Sequence, residues 1–153
     1  LAEHDMAQLH FWREQFLAEK LDAMWLPKAE ALLQKHRDQG HTLMIITATN
    51  DFVTAPLADR LGVDHLIATV AECKRERYTG NVAGIPSYRD GKVERLAEWL
   101  RANNESLAGS WFYSDSHNDL PLLRKVDNPV AVDPDATLDR EAREQGWPVI
   151  SLR

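Results

Sequence analysis

The N-terminal segment of the chain places apolar residues at helical spacing, with charged residues between them. The apolar positions are Met6, Leu9, Phe16, Leu17, Leu21 and Met24. Pro27 suits the first turn of a second helix, which is predicted to end at Gly40. The pattern therefore predicts two helices before the first strand of the chain.

Short apolar runs separated by amphipathic stretches make up the rest of the sequence. The run "TLMIIT", residues 42–47, is almost wholly apolar, which is typical of a parallel strand buried on both faces. Further strands are predicted at "HLIAT", "SWFYSD", "PVAVD" and "WPVISL", and further helices at residues 52–61, 92–102, 120–126 and 138–146. Strands that alternate with helices predict an α/β fold, with a Rossmann-like parallel sheet and helices on both faces.

One stretch interrupts this alternation. In "RYTGNVAGIPSY", residues 77–88, Gly80, Gly84 and Pro86 separate short β-like pieces. Glycine and proline at this density mark turns, so we expect a hairpin or a flap here.

Composition narrows the class of protein. The chain has 153 residues, of which 44% are hydrophobic and 27% charged, as in a soluble globular domain. Its formal net charge of −6 and the lack of a basic stripe argue against a nucleic-acid binder, and no apolar run is long enough to cross a membrane. The single cysteine, Cys73, excludes an internal disulfide and fits a reducing compartment, so we expect a cytoplasmic protein. The oligomeric state stays open.

Polar residues follow the predicted strands at the edge where parallel α/β sheets bind ligands. They are Thr47 and its neighbour Ala48, then Lys92 at a helix start, and Asp115, Asn118 and Asp119 after "SWFYS". These groups suit phosphoryl transfer. A hydroxyl and backbone amides bind phosphate oxygens, a lysine neutralises the charge that spreads over them, and Asp115 is a hard oxygen ligand for Mg²⁺.

Each of these residues also has an ordinary structural interpretation. A threonine or an aspartate between a strand and a helix is often an N-cap, and a lysine at the start of a surface helix is usually just solvated. The functional interpretation is favoured because all of them stand at strand ends, in an order that suits a single site.

Three segments resemble motifs of a known family. "IITATNDF", "GKVERL" and "YSDSHNDLPLL" look like the second, third and fourth motifs of the haloacid dehalogenase superfamily, in its phosphoserine-phosphatase-like branch. That branch includes histidinol-phosphate phosphatases. The resemblance extends from about Trp12 to the C-terminus, and the "DSHNDLPLL" string is its most specific part.

The resemblance implies roles for the individual residues. Thr47, or Thr49 if the strand ends later, would bind phosphate together with Ala48. Lys92 would hold the phosphate and the charge of the nucleophile. The remaining implied roles are Mg²⁺ ligation by Asp115, a substrate or phosphate contact by Asn118, and Mg²⁺ ligation or orientation of its water shell by Asp119. The candidates in this chain for binding a substrate carboxylate or phosphate are Arg77, Tyr78 and Arg89.

The first motif of that family, an apolar strand ending in Asp-x-Asp-x-Thr, does not occur before Thr47. "VAVDPDATL", residues 130–138, has the same form, and a circularly permuted enzyme would place the nucleophile there. We reject this interpretation, because the family has a strand, a turn and a helix at this point, with Pro134 shaping the turn and Asp135 or Thr137 capping the helix.

The resemblance therefore implies a Mg²⁺-dependent phosphatase for a small phosphorylated metabolite, similar to phosphoserine or histidinol phosphate. It would act through an aspartyl-phosphate whose nucleophile lies upstream of this chain, so residues 1–153 alone are expected to be inactive. Residues 1–25 would be the returning end of a helical cap, and residues 26–153 a core that lacks its first strand. The alternative is a relative without a nucleophile that serves as a binding or regulatory module.

Overall fold

The computed structural model describes residues 1–21 and 25–153. The chain divides into two compact units, Leu1–Pro86 and Ser87–Arg153. The predicted division into a cap, residues 1–25, and a core, residues 26–153, concerns a different boundary and stays a prediction.

The first unit contains helices and two small sheets. Its elements are α1 (Met6–Met24), α2 (Pro27–Asp38), β1 (Met44–Asn50), α3 (Asp51–Leu61), β2 (His65–Thr69), β3 (Ala71–Lys74) and β4 (Arg77–Val82). β1 and β2 pair in parallel, and the regular register runs from Met44 opposite His65 to Ile46 opposite Ile67. Pro27 starts α2, and Gly62, with φ of 60°, ends α3 in the left-handed conformation.

The predicted hairpin exists, but it begins earlier in the chain than expected. β4 pairs in antiparallel fashion with β3, so the turn lies at Arg75 and Glu76, and the segment after Val82 is not part of the ladder. Both turn residues have positive φ, 51° and 59°, as a type I′ hairpin turn requires. The glycines that usually announce such a turn are absent from it, which explains the wrong prediction of its position.

The strand β1 is less buried than its apolar sequence predicts. Residues 44–47 are half-buried, and Ala48 and Thr49 are exposed. Within the first unit β1 has one neighbouring strand, β2. The prediction of burial on both faces is therefore wrong for β1, since none of its residues is fully covered.

The second unit is built on a three-stranded parallel sheet in the order β5-β6-β7. Its elements are α4 (Asp90–Asn103), β5 (Trp111–Ser114), a 3₁₀ turn (His117–Asp119), α5 (Leu120–Leu123), β6 (Asn128–Val132), α6 (Ala136–Gln145) and β7 (Val149–Ile150). Leu123, Ala131, Leu138 and Ala142 are fully buried and form its core, with Phe112, Leu120 and Trp147 packed against them.

The α/β fold with parallel strands is therefore confirmed, and the differences lie at the ends of elements. The helix predicted at residues 120–126 starts at Leu120 as predicted but ends at Leu123, where the chain turns toward β6. The last strand is limited to Val149–Ile150. In the described part of the chain no helix combines the length and the apolar character that crossing a membrane requires.

Candidate active site

A buried ion pair stands at the centre of the second unit's strand-end region. The Lys92 ammonium lies 2.6 Å from Asp119 Oδ1, with side-chain exposures of 8% and 10%. Ser114, the last residue of β5, donates its hydroxyl to Asp119 Oδ2 at 2.7 Å. Both carboxylate oxygens of Asp119 are thus engaged, which is what a buried charge requires to be tolerated.

Two serines fold the loop between β5 and the 3₁₀ turn. The Ser114 hydroxyl accepts from the Ser116 amide at 3.1 Å. The Ser116 hydroxyl in turn caps the 3₁₀ turn by accepting from the Asn118 amide at 3.3 Å, and the Asn118 side-chain NH₂ donates to the same oxygen at 3.2 Å. These short-range bonds fix the loop around Asp115, which lies between the two serines.

Asp115 is the open carboxylate of this loop. Its side chain is exposed and takes no hydrogen bond or ion pair from the residues that the structure describes. The same part of the chain contains no group of three or more His, Cys, Asp or Glu side chains arranged to hold a metal. The donor set does not suit zinc or another metal that needs several protein ligands, but it suits Mg²⁺, which takes one or two carboxylates plus water and substrate phosphate.

Asn118 receives two donors from the segment that precedes α4. The Tyr88 hydroxyl and the Arg89 Nε each donate to Asn118 Oδ1 at 3.1 Å. Arg89 has φ of 48° and ψ of −121°, a conformation that is strained for a residue with a side chain, and its guanidinium lies 5.1 Å from the centre of the Tyr88 ring. The strained turn places Arg89 on Asn118 just before the helix that carries Lys92.

Asp135 joins the loop to α6. Its Oδ1 caps the helix by accepting from the amides of Thr137 and Leu138, each at 2.9 Å. Its Oδ2 accepts from the His117 amide at 2.7 Å and lies 2.9 Å from His117 Nδ1. Partial burial acts to raise the pKa of Asp135, but the hydrogen bonds from His117, Leu138 and Thr137 outweigh it and lower that pKa to about 2. The predicted capping role of Asp135 is confirmed.

In the first unit the polar residues after β1 make local bonds. The Thr47 hydroxyl accepts from the Thr49 amide at 3.2 Å, and Asn50 caps α3 through the Val53 amide at 3.1 Å. β1 extends to Asn50, but its pairing becomes irregular after Ile46. β1 therefore extends beyond Thr49, but its regular pairing with β2 stops before Thr47. The choice between Thr47 and Thr49 as the phosphate-binding hydroxyl stays open.

Comparison with known proteins decides the family. The sequence profile of the haloacid dehalogenase-like hydrolases matches residues 1–124. A histidinol-phosphatase from Neisseria meningitidis serogroup C is 41% identical over 157 residues, covering 100% of this chain and 71% of that protein. The chain belongs to the haloacid dehalogenase-like hydrolases.

The chain is also similar to two further proteins. The phosphoserine phosphatase SerB1 of Mycobacterium tuberculosis is 36% identical over 132 residues, which are 86% of this chain and 42% of that protein. A crystal structure of a protein of unknown function from Bordetella pertussis Tohama I superposes with a TM-score of 0.96 at 42% identity, over 100% of this chain and 70% of that one. The chain thus spans only part of the length of each of these relatives.

Within this hydrolase chain, the second unit holds four of the six predicted site residues. Lys92 contacts Asp119, and Asp115 and Asn118 belong to the same loop as Asp119. Thr47 and Ala48 belong to the first unit. The roles of all six stay predictions. Of the candidates for an anion grip, Arg89 contacts Asn118, whereas Tyr78 packs edge-on against Phe52 at 5.5 Å in the first unit, and Arg77 is exposed on β4.

Sequence reasoning missed three residues that organise the loop, Tyr88, Ser114 and Ser116. It also missed the contact of Asp135 with His117. The two serines had a local signal, since hydroxyls on either side of an aspartate commonly fold such loops. Tyr88 and Asp135 had none, because their partners in the loop lie far along the sequence.

Proposed function

We propose that the protein containing this chain is a Mg²⁺-dependent phosphatase that hydrolyses the phosphomonoester of a small metabolite. The observation that carries the proposal is the buried Lys92–Asp119 pair next to the open carboxylate of Asp115. Membership of a hydrolase family that includes phosphatase-named relatives supports the same reaction class.

Lys92 is the phosphate-neutralising group of the proposal. An ammonium group has three N–H donors. Among the residues that the structure describes, the Lys92 ammonium has one partner, the Asp119 carboxylate. The other donors are available for phosphoryl oxygens. Because the side chain is only 8% exposed, its charge is weakly screened by water and acts more strongly on the charge that develops in the transition state. Asp119 and Ser114 keep the ammonium in place.

Asp115 would hold the metal, with Asn118 beside it on the same loop. When bound, Mg²⁺ supplies positive charge next to the phosphoryl oxygens. Asp119 remains a second proposed metal-binding residue. Its contacts with Lys92 and Ser114 also position the Lys92 ammonium. In the first unit, the Thr47 hydroxyl and the Ala48 amide are the proposed phosphate-binding groups.

The attacking carboxylate is assigned to sequence outside residues 1–153, since no Asp-x-Asp-x-Thr precedes Thr47. That aspartate would form an aspartyl-phosphate, which water then hydrolyses. Residues 1–153 alone are expected to show no turnover. Histidinol phosphate and phosphoserine are the proposed substrate types, because the names of two relatives specify those activities.

The test is phosphate release from L-histidinol phosphate and from phosphoserine by the full-length protein, with Mg²⁺ and with a chelator. Lys92→Ala is expected to reduce kcat/KM by about 10²–10³-fold, the usual loss when one transition-state donor is removed. Lys125→Ala, which removes an exposed lysine of the same unit, is the matched control and should leave the rate unchanged.

Equal activity of the Lys92→Ala and Lys125→Ala proteins would contradict the role proposed for Lys92. Mg²⁺-dependent binding of inorganic phosphate without hydrolysis of either ester would contradict the phosphatase proposal itself, because it is the behaviour of the binding or regulatory module.

A further inference from the structure

We propose that Asp135 is a positioning residue, which holds the loop of residues 115–119 in the geometry that Mg²⁺ and phosphate require. The proposal rests on the proposed function, since that function gives the loop its ligands. It assigns to Asp135 a role beyond capping α6.

The two carboxylate oxygens of Asp135 have separate tasks. Oδ1 caps the helix by accepting from the amides of Thr137 and Leu138. Oδ2 contacts the loop, at the backbone amide and the ring of His117, which is 18 residues away in the sequence. The helix needs only the first oxygen, because an N-cap is one acceptor facing the first-turn amides.

The backbone of Asp135 holds the other end of the loop. Its amide donates to the Asp115 carbonyl at 2.8 Å. One residue therefore contacts the loop at Asp115, the proposed metal ligand, and again at His117, directly before Asn118. Fixing the loop at both points restrains the direction in which the Asp115 carboxylate leaves the backbone.

The cap of α3 shows that this second contact is not a requirement of capping. Asn50 caps α3 with its Oδ1 alone, through the Val53 amide. The hydrogen bonds to His117 are thus an addition specific to Asp135. Both oxygens of Asp135 thus face N–H donors, an arrangement that suits a carboxylate, which can accept on each oxygen.

Two variants separate the loop contact from the cap. Asp135→Asn keeps an oxygen for the cap and turns an NH₂ donor toward the His117 amide, whereas Asp135→Ser keeps one capping oxygen and has no second acceptor. Asp139→Asn is the matched control. Asp139 lies in the first turn of the same helix, and its carboxylate pairs with Arg143 at 2.8 Å.

The measurements are amide hydrogen exchange of residues 115–119 and Mg²⁺ affinity by calorimetry, both on the full-length protein. In both Asp135 variants the loop amides should exchange about tenfold faster, the equivalent of one lost hydrogen bond. Mg²⁺ affinity should fall about tenfold, as for other residues that orient metal ligands. The Asp139→Asn protein should match the wild type in both measurements.

A kinetic measurement distinguishes positioning from a general loss of structure. In Asp135→Asn the Mg²⁺ concentration for half-maximal phosphate release should rise about tenfold, with kcat at saturating Mg²⁺ within about threefold of the wild type. A fall of kcat and of the unfolding midpoint together, with unchanged Mg²⁺ dependence, would overturn the proposal, as would loop exchange equal to that of the control.

Failure of the proposed function has a different signature. A wild-type protein that neither binds Mg²⁺ nor releases phosphate would overturn both the phosphatase and the positioning role that depends on it. A wild-type protein that hydrolyses its ester, combined with unchanged exchange and Mg²⁺ affinity in both Asp135 variants, would overturn only the role of Asp135 and leave it as a helix cap.

Discussion

The junctions that follow β1 and β5 are alike in sequence and different in structure. Each is an apolar strand followed by small polar residues and then a helix. After β1, the polar groups satisfy nearby amides: Thr47 accepts from Thr49, and Asn50 caps α3. After β5, Ser114 and Asp119 form a buried network with Lys92, a residue of the preceding helix α4. A strand-end polar loop becomes a charged centre only where another element brings a counter-charge to it.

The core of the second unit is more deeply buried than that of the first. Every large side chain that is fully buried, among the described residues, belongs to the second unit: Leu122, Leu123 and Leu138, with Ser87. In the first unit Met44, Ile45 and Ile46 of β1 stay half-buried. A tight core around β5 and β6 gives the loop after β5 a rigid base, which a charge network with fixed distances needs.

The largest expected effect comes from breaking the buried pair. Lys92→Ala leaves the Asp119 carboxylate buried without its counter-charge, so the free energy of unfolding should fall by about 3–5 kcal/mol in urea denaturation. The exposed pair of Arg143 with Asp139 is the comparison, and Arg143→Ala should lower the free energy of unfolding far less, because water screens an exposed pair.

A double-mutant cycle sharpens this prediction. Replacing Asp119 as well, in Lys92→Ala/Asp119→Ala, removes the unpaired charge and should recover part of the loss. Equal destabilisation by Lys92→Ala and Arg143→Ala would mean that the Lys92–Asp119 pair contributes no more to stability than the exposed pair does.

The second prediction compares the two cores. Leu138 is fully buried, and its truncation to alanine should lower the free energy of unfolding by about 2–5 kcal/mol. Ile46 of β1 is half-buried, so Ile46→Ala should lower it by about half as much, measured in the same urea titration. Equal losses at the two positions would show that the two cores are equally tight.

A smaller effect is expected at the cap of α3. Asn50→Ala removes the acceptor for the Val53 amide, which should lower the free energy of unfolding by about 1 kcal/mol and leave Mg²⁺ affinity unchanged. Asp135→Ser, which keeps a capping oxygen for α6, is predicted to weaken Mg²⁺ binding instead. A loss of Mg²⁺ affinity in Asn50→Ala would break the distinction between a simple cap and a positioning residue.

The smallest effect concerns pH and the first unit. Burial first, then the charges of His41 and Lys35, lower the pKa of His36, whose Nδ1 lies 2.8 Å from His41 Nδ1. The unfolded chain then binds a proton at about pH 6.5 that the folded chain does not, so stability is complete above that pH and decreases as the pH falls below it. Thermal unfolding of His36→Gln between pH 5 and pH 8 should show a weaker decrease than that of His4→Gln.

The sequence predicted the parts of this molecule that depend on local order. Helical and strand periodicity located α3, β2 and α4 to within two residues, because neighbouring residues alone decide such patterns. The positions of Lys92 and Asp119 were also predicted, but their mutual contact was not, since an ion pair between distant residues leaves no periodic signal. Tertiary packing likewise decided the half-burial of β1 and the second contact of Asp135.

The most direct test of the central claim, that the loop after β5 is the metal-binding centre, is a calorimetric Mg²⁺ titration of the full-length protein in the presence of inorganic phosphate. Asp115→Asn should bind Mg²⁺ at least about tenfold more weakly than the wild type. Asp59→Asn, which alters an exposed carboxylate on α3, should bind it with wild-type affinity. Equal Mg²⁺ affinity in the Asp115→Asn and Asp59→Asn proteins would contradict the claim and place the metal elsewhere.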